Sequence, residues 1–206
     1  MTRTFAVIAA LLLAGCGGAG TGKQADEAAP AGNAGAARAD APAAEPAVLT
    51  AEGFGPLRIG MSRAEVVKAL GEDSDPEGVG GPDPESCDMF RPLRAPEGML
   101  VMIEEGRLTS ISLIEGSKVA TDRGLRLGAP AASVRAAYGE ALRAEPHKYE
   151  EAPAEYLTVW AKDAPRRPTD AAAPSARGIN YEIGGNGLVQ AIHAGGPSIQ
   201  YVEGCA

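Results

Sequence analysis

The hydrophobic and polar positions of this chain predict two short helices, each followed by antiparallel strands. Both helical segments carry apolar residues at a spacing that puts them on one helical face. These residues are Val66, Ala69 and Leu70 in the first segment and Val134, Ala137 and Tyr138 in the second. A helix of about eight to ten residues is too short to be stable alone, so we expect both to pack on a sheet.

Residues at the helix ends support this interpretation. Ser62 is a favourable N-cap, and Glu65 three residues later completes a capping box. Pro130 suits the first turn of the second helix. Gly71 and Gly139 are typical helix C-terminal stops.

Apolar runs separated by turn residues predict two hairpins and one further strand. The runs at 99–103 and 108–114 flank Glu105–Gly106, the runs at 179–183 and 188–193 flank Gly185–Gly187, and the further strand is Tyr156–Trp160. The order is a helix and then an antiparallel meander, repeated twice. This order predicts an α+β fold.

The two helical segments belong to an internal repeat. Leu57–Gly71 aligns without gaps on Leu125–Gly139 at an offset of 68 residues, and seven of the fifteen aligned positions are identical. The repeat predicts two tandem units, at residues 49–120 and 121–206.

The phrase RIGMSRAEVVKALG (58–71), followed by a sheet with a hairpin of the form Gly-x-Leu-x-x-Ile, resembles the SmpA/OmlA–BamE group and the β-lactamase inhibitor protein. The resemblance covers about residues 54–200. It implies helices, single or as helical hairpins, packed on a small antiparallel sheet, with two such units in tandem as in the inhibitor. It assigns no functional residue.

The N-terminal segment has the features of a lipoprotein signal peptide. Arg3 precedes the apolar run Phe5–Leu13, which is too short to span a bilayer. The following Leu-Ala-Gly-Cys ending at Cys16 resembles a bacterial lipobox, which predicts a signal peptide at 1–15 and a lipidated Cys16. An ordinary signal peptide with an accidental cysteine is the alternative. By resemblance to enterobacterial lipoproteins, a residue other than Asp at position 17, here Gly17, implies sorting to the outer membrane, facing the periplasm. Anchoring on the plasma membrane or cell surface is the alternative.

Residues 16–48 are rich in Ala, Gly and Pro. Such a segment buries too little apolar surface to offset its ordering entropy, so we expect a disordered tether. As a flexible coil of about 32 residues, it would reach roughly 30 Å.

Composition excludes several classes of protein. The net charge of −8 argues against a nucleic-acid binder, which would present a basic face. Internal runs of eighteen apolar residues do not occur in the sequence, so we expect membrane contact through the lipid anchor alone.

Two cysteines remain after Cys16. Cys87 and Cys205 would share an oxidising envelope compartment, which predicts a disulfide that fastens the C-terminus to the first unit. A redox or metal pair is the alternative, although the chain has no Cys-x-x-Cys motif.

The residues with catalytic or metal-binding chemistry form weak patterns. His147 lies near Glu145, Glu150 and Glu151 and is expected to be solvated, whereas His193 is expected at a strand end. Sequence motifs of nucleophilic, metal-dependent or nucleotide-dependent enzymes do not occur. We therefore expect no enzyme activity and no cofactor, although a triad assembled from distant positions remains open.

One acidic segment resembles half of a calcium loop. Asp73, Asp75 and Glu77 occupy ligand positions 1, 3 and 5 of an EF-hand, and Gly78 occupies position 6. Position 12 is Pro84 rather than Glu, so half of the coordination is missing. We expect a solvated acidic loop, with a weak calcium site as the alternative.

The strand Tyr156–Trp160 supplies the candidate binding surface. Alternation places Tyr156, Thr158 and Trp160 on one face, which is open if the aliphatic residues face the helices. Arg166 and Arg167 follow in a loop long enough to be either functional or disordered, and as a functional loop it extends this surface. Tyr and Trp dominate protein interfaces, although Trp160 in the core is the alternative.

Together these patterns predict a lipid-anchored, non-catalytic module that binds another envelope protein as an accessory or inhibitor-like subunit. A binder of small lipids or glycans is the second hypothesis, and a hydrolase with an unrecognised site is the third.

Overall fold

The computed structural model describes residues 47–162, 164 and 173–205. The fold is α+β, with two eight-residue helices, a three-stranded sheet and an open seven-stranded sheet, both antiparallel. The predicted α+β class is therefore confirmed. Among the described residues, none of the helices has the length and hydropathy needed to cross a membrane.

The two helices, the two hairpins and the strand at 155–160 follow the predicted order, with further short strands between and before them. In the first half the elements are β1 (Leu49–Thr50), β2 (Gly53–Phe54), β3 (Leu57–Arg58), α1 (Arg63–Leu70), β4 (Cys87–Phe90), β5 (Met99–Glu104) and β6 (Arg107–Leu113). In the second half they are α2 (Ala131–Tyr138), a 3₁₀ helix (Gly139–Ala141), β7 (Leu142–Pro146), β8 (Glu155–Trp160), β9 (Gly178–Ile183), β10 (Val189–Gly195) and a second 3₁₀ helix (Pro197–Gln200).

The large sheet combines both meanders. Its strand order is β4-β5-β6-β10-β9-β8-β7, so the strands after α1 form one half and those after α2 form the other. The halves join through their last strands, where Leu113 of β6 lies opposite Ile192 of β10. The two meanders therefore share one continuous sheet.

The two helical segments contact their own hairpins through equivalent backbone hydrogen bonds. Gly60 donates its N–H to Leu108 O at 2.7 Å, and Gly128 donates to Val189 O at 2.8 Å. Bonds from Leu108 to Met61 O and from Val189 to Ala129 O repeat the pattern. The equivalent residues of the two copies are 68 positions apart in the helical segments and 81 positions apart in the hairpins. The same pair of hydrogen bonds therefore occurs in both halves of the chain.

The predicted capping box forms at α1. The Ser62 hydroxyl accepts from the Glu65 backbone N–H, and the Glu65 carboxylate accepts the Ser62 backbone N–H at 2.8 Å. Pro130 is the N-cap of α2, one position before the first turn, and provides no side-chain hydrogen bond. Gly71 and Gly139 terminate the helices at positive φ, where glycine avoids the steric cost of a Cβ.

One face of the large sheet packs on the helices. Val66 and Val134 are fully buried in a cluster with alternate residues of the strands, such as Val101 and Ile192. Leu157 belongs to this cluster and Val159 packs against it, as the alternation along β8 predicts.

The other sheet face carries the C-terminal strap, defined as residues 196–205. Its 3₁₀ helix packs on β6, β9 and β10, and Asn180 Nδ2 donates to Ile199 O at 2.9 Å. A Cβ added to Gly204 would lie 2.5 Å from Met89 Sδ, so the strap passes directly over β4. The predicted disulfide is confirmed, because Cys205 is bonded there to Cys87. The strap therefore lies on part of the face that carries Tyr156, Thr158 and Trp160, which sequence alternation does not reveal.

Candidate functional site

A polar cluster lies on the strap-covered face of the sheet. We call it the Glu182 cluster, and its members are Ser112, His147, Glu182, Gln190 and His193. They come from β6, the β7–β8 loop, β9 and β10. The predicted α+β order alone does not indicate that these four segments meet.

Ser112 and His193 form the first contact of the cluster. They lie directly opposite each other in the β6–β10 register. The Ser112 hydroxyl lies 2.8 Å from His193 Nδ1, which is hydrogen-bonding distance. His193 Nε2 lies 3.6 Å from the Glu182 carboxylate, which is an ion-pair distance but too long for a hydrogen bond.

His147 occupies the opposite side of Glu182. Its Nδ1 accepts backbone N–H groups from Tyr149 at 3.2 Å and Glu150 at 3.1 Å, so Nε2 carries the proton. Nε2 donates to Glu182 at 3.1 Å. The side chain is only 5% exposed, so the expectation of a solvated His147 was wrong. Sequence neighbours suggested an acidic loop, but the bonding partner lies 35 residues away.

Glu182 is ionised over the ordinary pH range. The His193 imidazole is the main cause that lowers the pKa of Glu182 to about 2, and hydrogen bonds from His147 and Gln190 add to it. Burial opposes this shift by disfavouring the charged carboxylate. The cluster therefore holds a fixed negative charge between two imidazole rings.

The predicted Tyr156–Thr158–Trp160 surface lies beside this cluster. Thr158 is buried and the two aromatic residues are half-buried, so Trp160 is neither a core residue nor freely exposed. All three line a groove of about 210 Å³ together with strap residues Gln200 and Val202.

Tyr156 connects the groove to the Glu182 cluster. Its ring stacks on His147 with centroids 4.7 Å apart. Burial raises the pKa of the Tyr156 hydroxyl. Arg166 and Arg167, the remaining members of the predicted surface, lie outside the described residues.

A cavity of about 280 Å³ lies between the strap and β4–β6. Leu100, Met102 and Ile114 form apolar parts of its wall, and Ser112 and His193 face it as well. Ser198, 3% exposed, also lines it, and its hydroxyl has no hydrogen-bond partner among the described residues. This cavity is the place where the cluster meets a space that a small molecule can occupy.

Glu182 also lines a wider cleft of about 940 Å³. Glu182 and Gln190 contribute to it together with Lys118 and Arg126. Glu182 therefore lines a cleft that the strap residues do not line.

Exposed apolar side chains concentrate on the strap side of the molecule. Of the five large ones in the described part of the chain, Tyr149, Tyr201 and Val202 are 61%, 42% and 40% exposed. The Tyr149 hydroxyl donates to Glu203 of the strap, and Lys148 reaches the same carboxylate at 3.2 Å. We call Tyr149, Tyr201 and Val202 the strap patch.

The acidic segment uses its carboxylates internally. Asp73 accepts the backbone N–H groups of Asp75 at 3.0 Å and Arg91 at 3.2 Å. Asp75 forms an ion pair with Arg91 at 2.9 Å, whereas Glu77 is exposed. Within residues 47–162, 164 and 173–205, side chains of His, Cys, Asp and Glu do not gather in groups of three able to hold a metal.

Cys16, the predicted lipidation site, lies outside the described residues. Comparison of the chain with protein-family models, curated proteins and solved structures found no match.

The fold and site define an α+β protein whose large sheet carries helices on one face and a disulfide-tethered strap on the other.

Proposed function

We propose that this protein is a lipid-anchored component of the bacterial cell envelope that binds another envelope protein through the strap patch. The anchor is the lipid on Cys16, and residues 17–48 are the tether. Gly17 favours placement on the outer membrane, facing the periplasm. The resemblance of the helical repeat to the SmpA/OmlA–BamE group supports a role as an accessory or inhibitor-like subunit.

The observation that carries this proposal is the exposure of Tyr201 and Val202 on the strap together with that of Tyr149, whose hydroxyl donates to the neighbouring strap residue Glu203. Tyrosine combines a large apolar area with a polar tip and dominates interface hot spots. The disulfide at Cys205 holds Tyr201 and Val202 in place, so less conformational entropy is lost on binding. Trp160 and Tyr156 extend the same side of the molecule.

The test is site-specific photo-crosslinking of the full lipidated protein in intact cells. A benzoylphenylalanine replacing Tyr201 should capture one dominant envelope protein, identified by mass spectrometry. The matched control places the same residue at Lys68, which is exposed on α1 and remote from the strap patch. Capture at both positions, or at neither, would contradict the proposal.

A second variant separates the surface from the anchor. Tyr149→Ser with Tyr201→Ser should abolish capture by a crosslinker at Val202 while leaving membrane fractionation unchanged. Cys16→Ser should move the protein from the membrane fraction to the soluble fraction. Membrane retention of the Cys16→Ser protein would overturn the lipid anchor.

A further inference from the structure

The arrangement of Ser112, His193 and Glu182 is that of a nucleophile, a general base and a carboxylate that orients the base. We propose that these residues form a serine esterase site, which hydrolyses carboxylic esters with a short acyl chain. Ser112 is the nucleophile, His193 is the general base, and Glu182 is the positioning residue. The proposal does not depend on the envelope partner proposed above.

The charges in the cluster set the direction of proton transfer. Glu182 carries a negative charge and faces His193 Nε2 at 3.6 Å, which favours the tautomer with its proton on Nε2. His193 Nδ1 is then an acceptor and lies 2.8 Å from Ser112 Oγ. The Ser112 hydroxyl therefore donates to the imidazole, as a serine activated by general-base catalysis requires.

His147 and Gln190 hold the carboxylate in this position. His147 Nε2 donates to one oxygen at 3.1 Å, and Gln190 Nε2 donates to the same oxygen at 2.7 Å. The second oxygen of Glu182 is the one that faces His193. One carboxylate oxygen is thus fixed by two donors while the other orients the base.

The cavity beneath the strap defines the acyl group. Ser112 and His193 face it, and Leu100, Met102 and Ile114 supply its apolar wall. Its volume of about 280 Å³ lies just below the ~300–1,000 Å³ found for ligand pockets, so it suits a short acyl chain. The Ser198 hydroxyl, which has no partner among the described residues, is available to donate to a developing oxyanion.

The reaction balances without a cofactor. Ser112 Oγ attacks the ester carbonyl carbon while its proton passes to His193 Nδ1. The bond from the carbonyl carbon to the alcohol oxygen breaks, and the alcohol leaves with the proton from Nδ1. Water then attacks the acyl-serine, gives a proton to Nδ1, and releases the carboxylic acid as Ser112 regains its proton.

The test uses the full chain with two probes. A fluorophosphonate should label Ser112, and peptide mass spectrometry locates the labelled residue. Hydrolysis of p-nitrophenyl butyrate should reach a maximal rate as the substrate concentration rises. Ser112→Ala should abolish both reactions. Ser133→Ala is the control, because Ser133 is exposed on α2, which packs on the opposite face of the sheet and does not line the cavity. It should retain both reactions.

Glu182→Gln tests the positioning role. Its kcat should fall on the order of 10³-fold or more with KM changed less than about twofold, because the carboxylate orients the base rather than binding substrate. Thermal unfolding of each variant shows whether it is folded. A Glu182→Gln protein that is folded and fully active would remove Glu182 from the site.

The strap supplies a second arm of the test. Cys87→Ser with Cys205→Ser releases the strap from β4 and should raise the labelling rate of Ser112, because strap residues line the cavity. If Ser112 is labelled neither in the wild-type protein nor in this folded variant, the proposal is overturned. Labelling that persists in Ser112→Ala would overturn it equally.

Discussion

The Nε2–H group of His147 donates a hydrogen bond to the Glu182 carboxylate at 3.1 Å. This bond joins the β7–β8 loop to β9 across 35 residues of sequence. This bond, together with His193 and Gln190, stabilises the ionised carboxylate in the folded protein. Because the same carboxyl is unpaired in the unfolded chain, the contact couples folding to pH.

The first prediction concerns stability in acid. The pKa of Glu182 falls from 4.5 to about 2 on folding, so its contribution is complete above pH 4.5 and is lost as the pH falls towards 2. This pKa shift corresponds to a contribution on the order of 3 kcal/mol to the free energy of unfolding. In urea unfolding at several pH values, Glu182→Gln should lose less stability than the wild-type protein between pH 4.5 and 2. Glu77→Gln, on the exposed acidic segment, should follow the wild-type curve.

The second prediction concerns the disulfide. Cys87 and Cys205 are separated by 118 residues, and a bond closing a loop of this length restricts the unfolded chain strongly. Replacing both with serine should lower the free energy of unfolding by about 2–5 kcal/mol. Denaturant titration measures this loss, and reduction of the wild-type protein should reproduce it. Equal midpoints for oxidised and reduced protein would contradict the prediction.

The third prediction concerns the capping box. Ser62→Ala removes the hydroxyl that accepts from the Glu65 N–H, and it should destabilise the protein by about 1 kcal/mol. Ser133→Ala is the control, because Ser133 is exposed within α2 and its side chain caps nothing. Its effect should remain within about 0.5 kcal/mol. Thermal and urea unfolding of the two variants distinguish the cap from the general effect of serine in a helix.

The fourth prediction concerns Gly195, where β10 ends and the strap begins. Its φ is +149°, and an added Cβ would lie 2.3 Å from Thr109 O. Gly195→Ala should therefore destabilise the protein by more than about 2 kcal/mol. Gly124 has a positive φ of 73° but open space around its Cβ position, so Gly124→Ala should cost only about 1 kcal/mol. Similar losses for both would show that steric contact at Gly195 is unimportant.

Local signals in the sequence predicted much of the fold. Ser62 and Glu65 identified the start of α1, and turn residues placed both hairpins within one or two positions. The short strands β1, β2, β4 and β7 were missed because none of them has a strong apolar alternation. Capping and turn preferences depend on neighbours in sequence. They therefore locate helix ends and hairpins, but not strands that lack such local signals.

The candidate site was not predictable in the same way. No local motif marks Ser112, His193 and Glu182 as partners, and only the strand register places Ser112 opposite His193. The expected role of His147 failed for the same reason, because its partner Glu182 lies on another strand.

The sequence by itself determined the α+β class, the helix ends, the hairpins and the pairing of Cys87 with Cys205. Only the tertiary structure decided that the two meanders share one sheet, that the strap covers its second face, and that Glu182 lies between two histidines. Sequence patterns indicate contacts between residues a few positions apart. They also indicated the disulfide, because Cys87 and Cys205 are the two cysteines that remain after Cys16. The pairing of β6 with β10 and the course of the strap depend on packing between segments far apart in the chain.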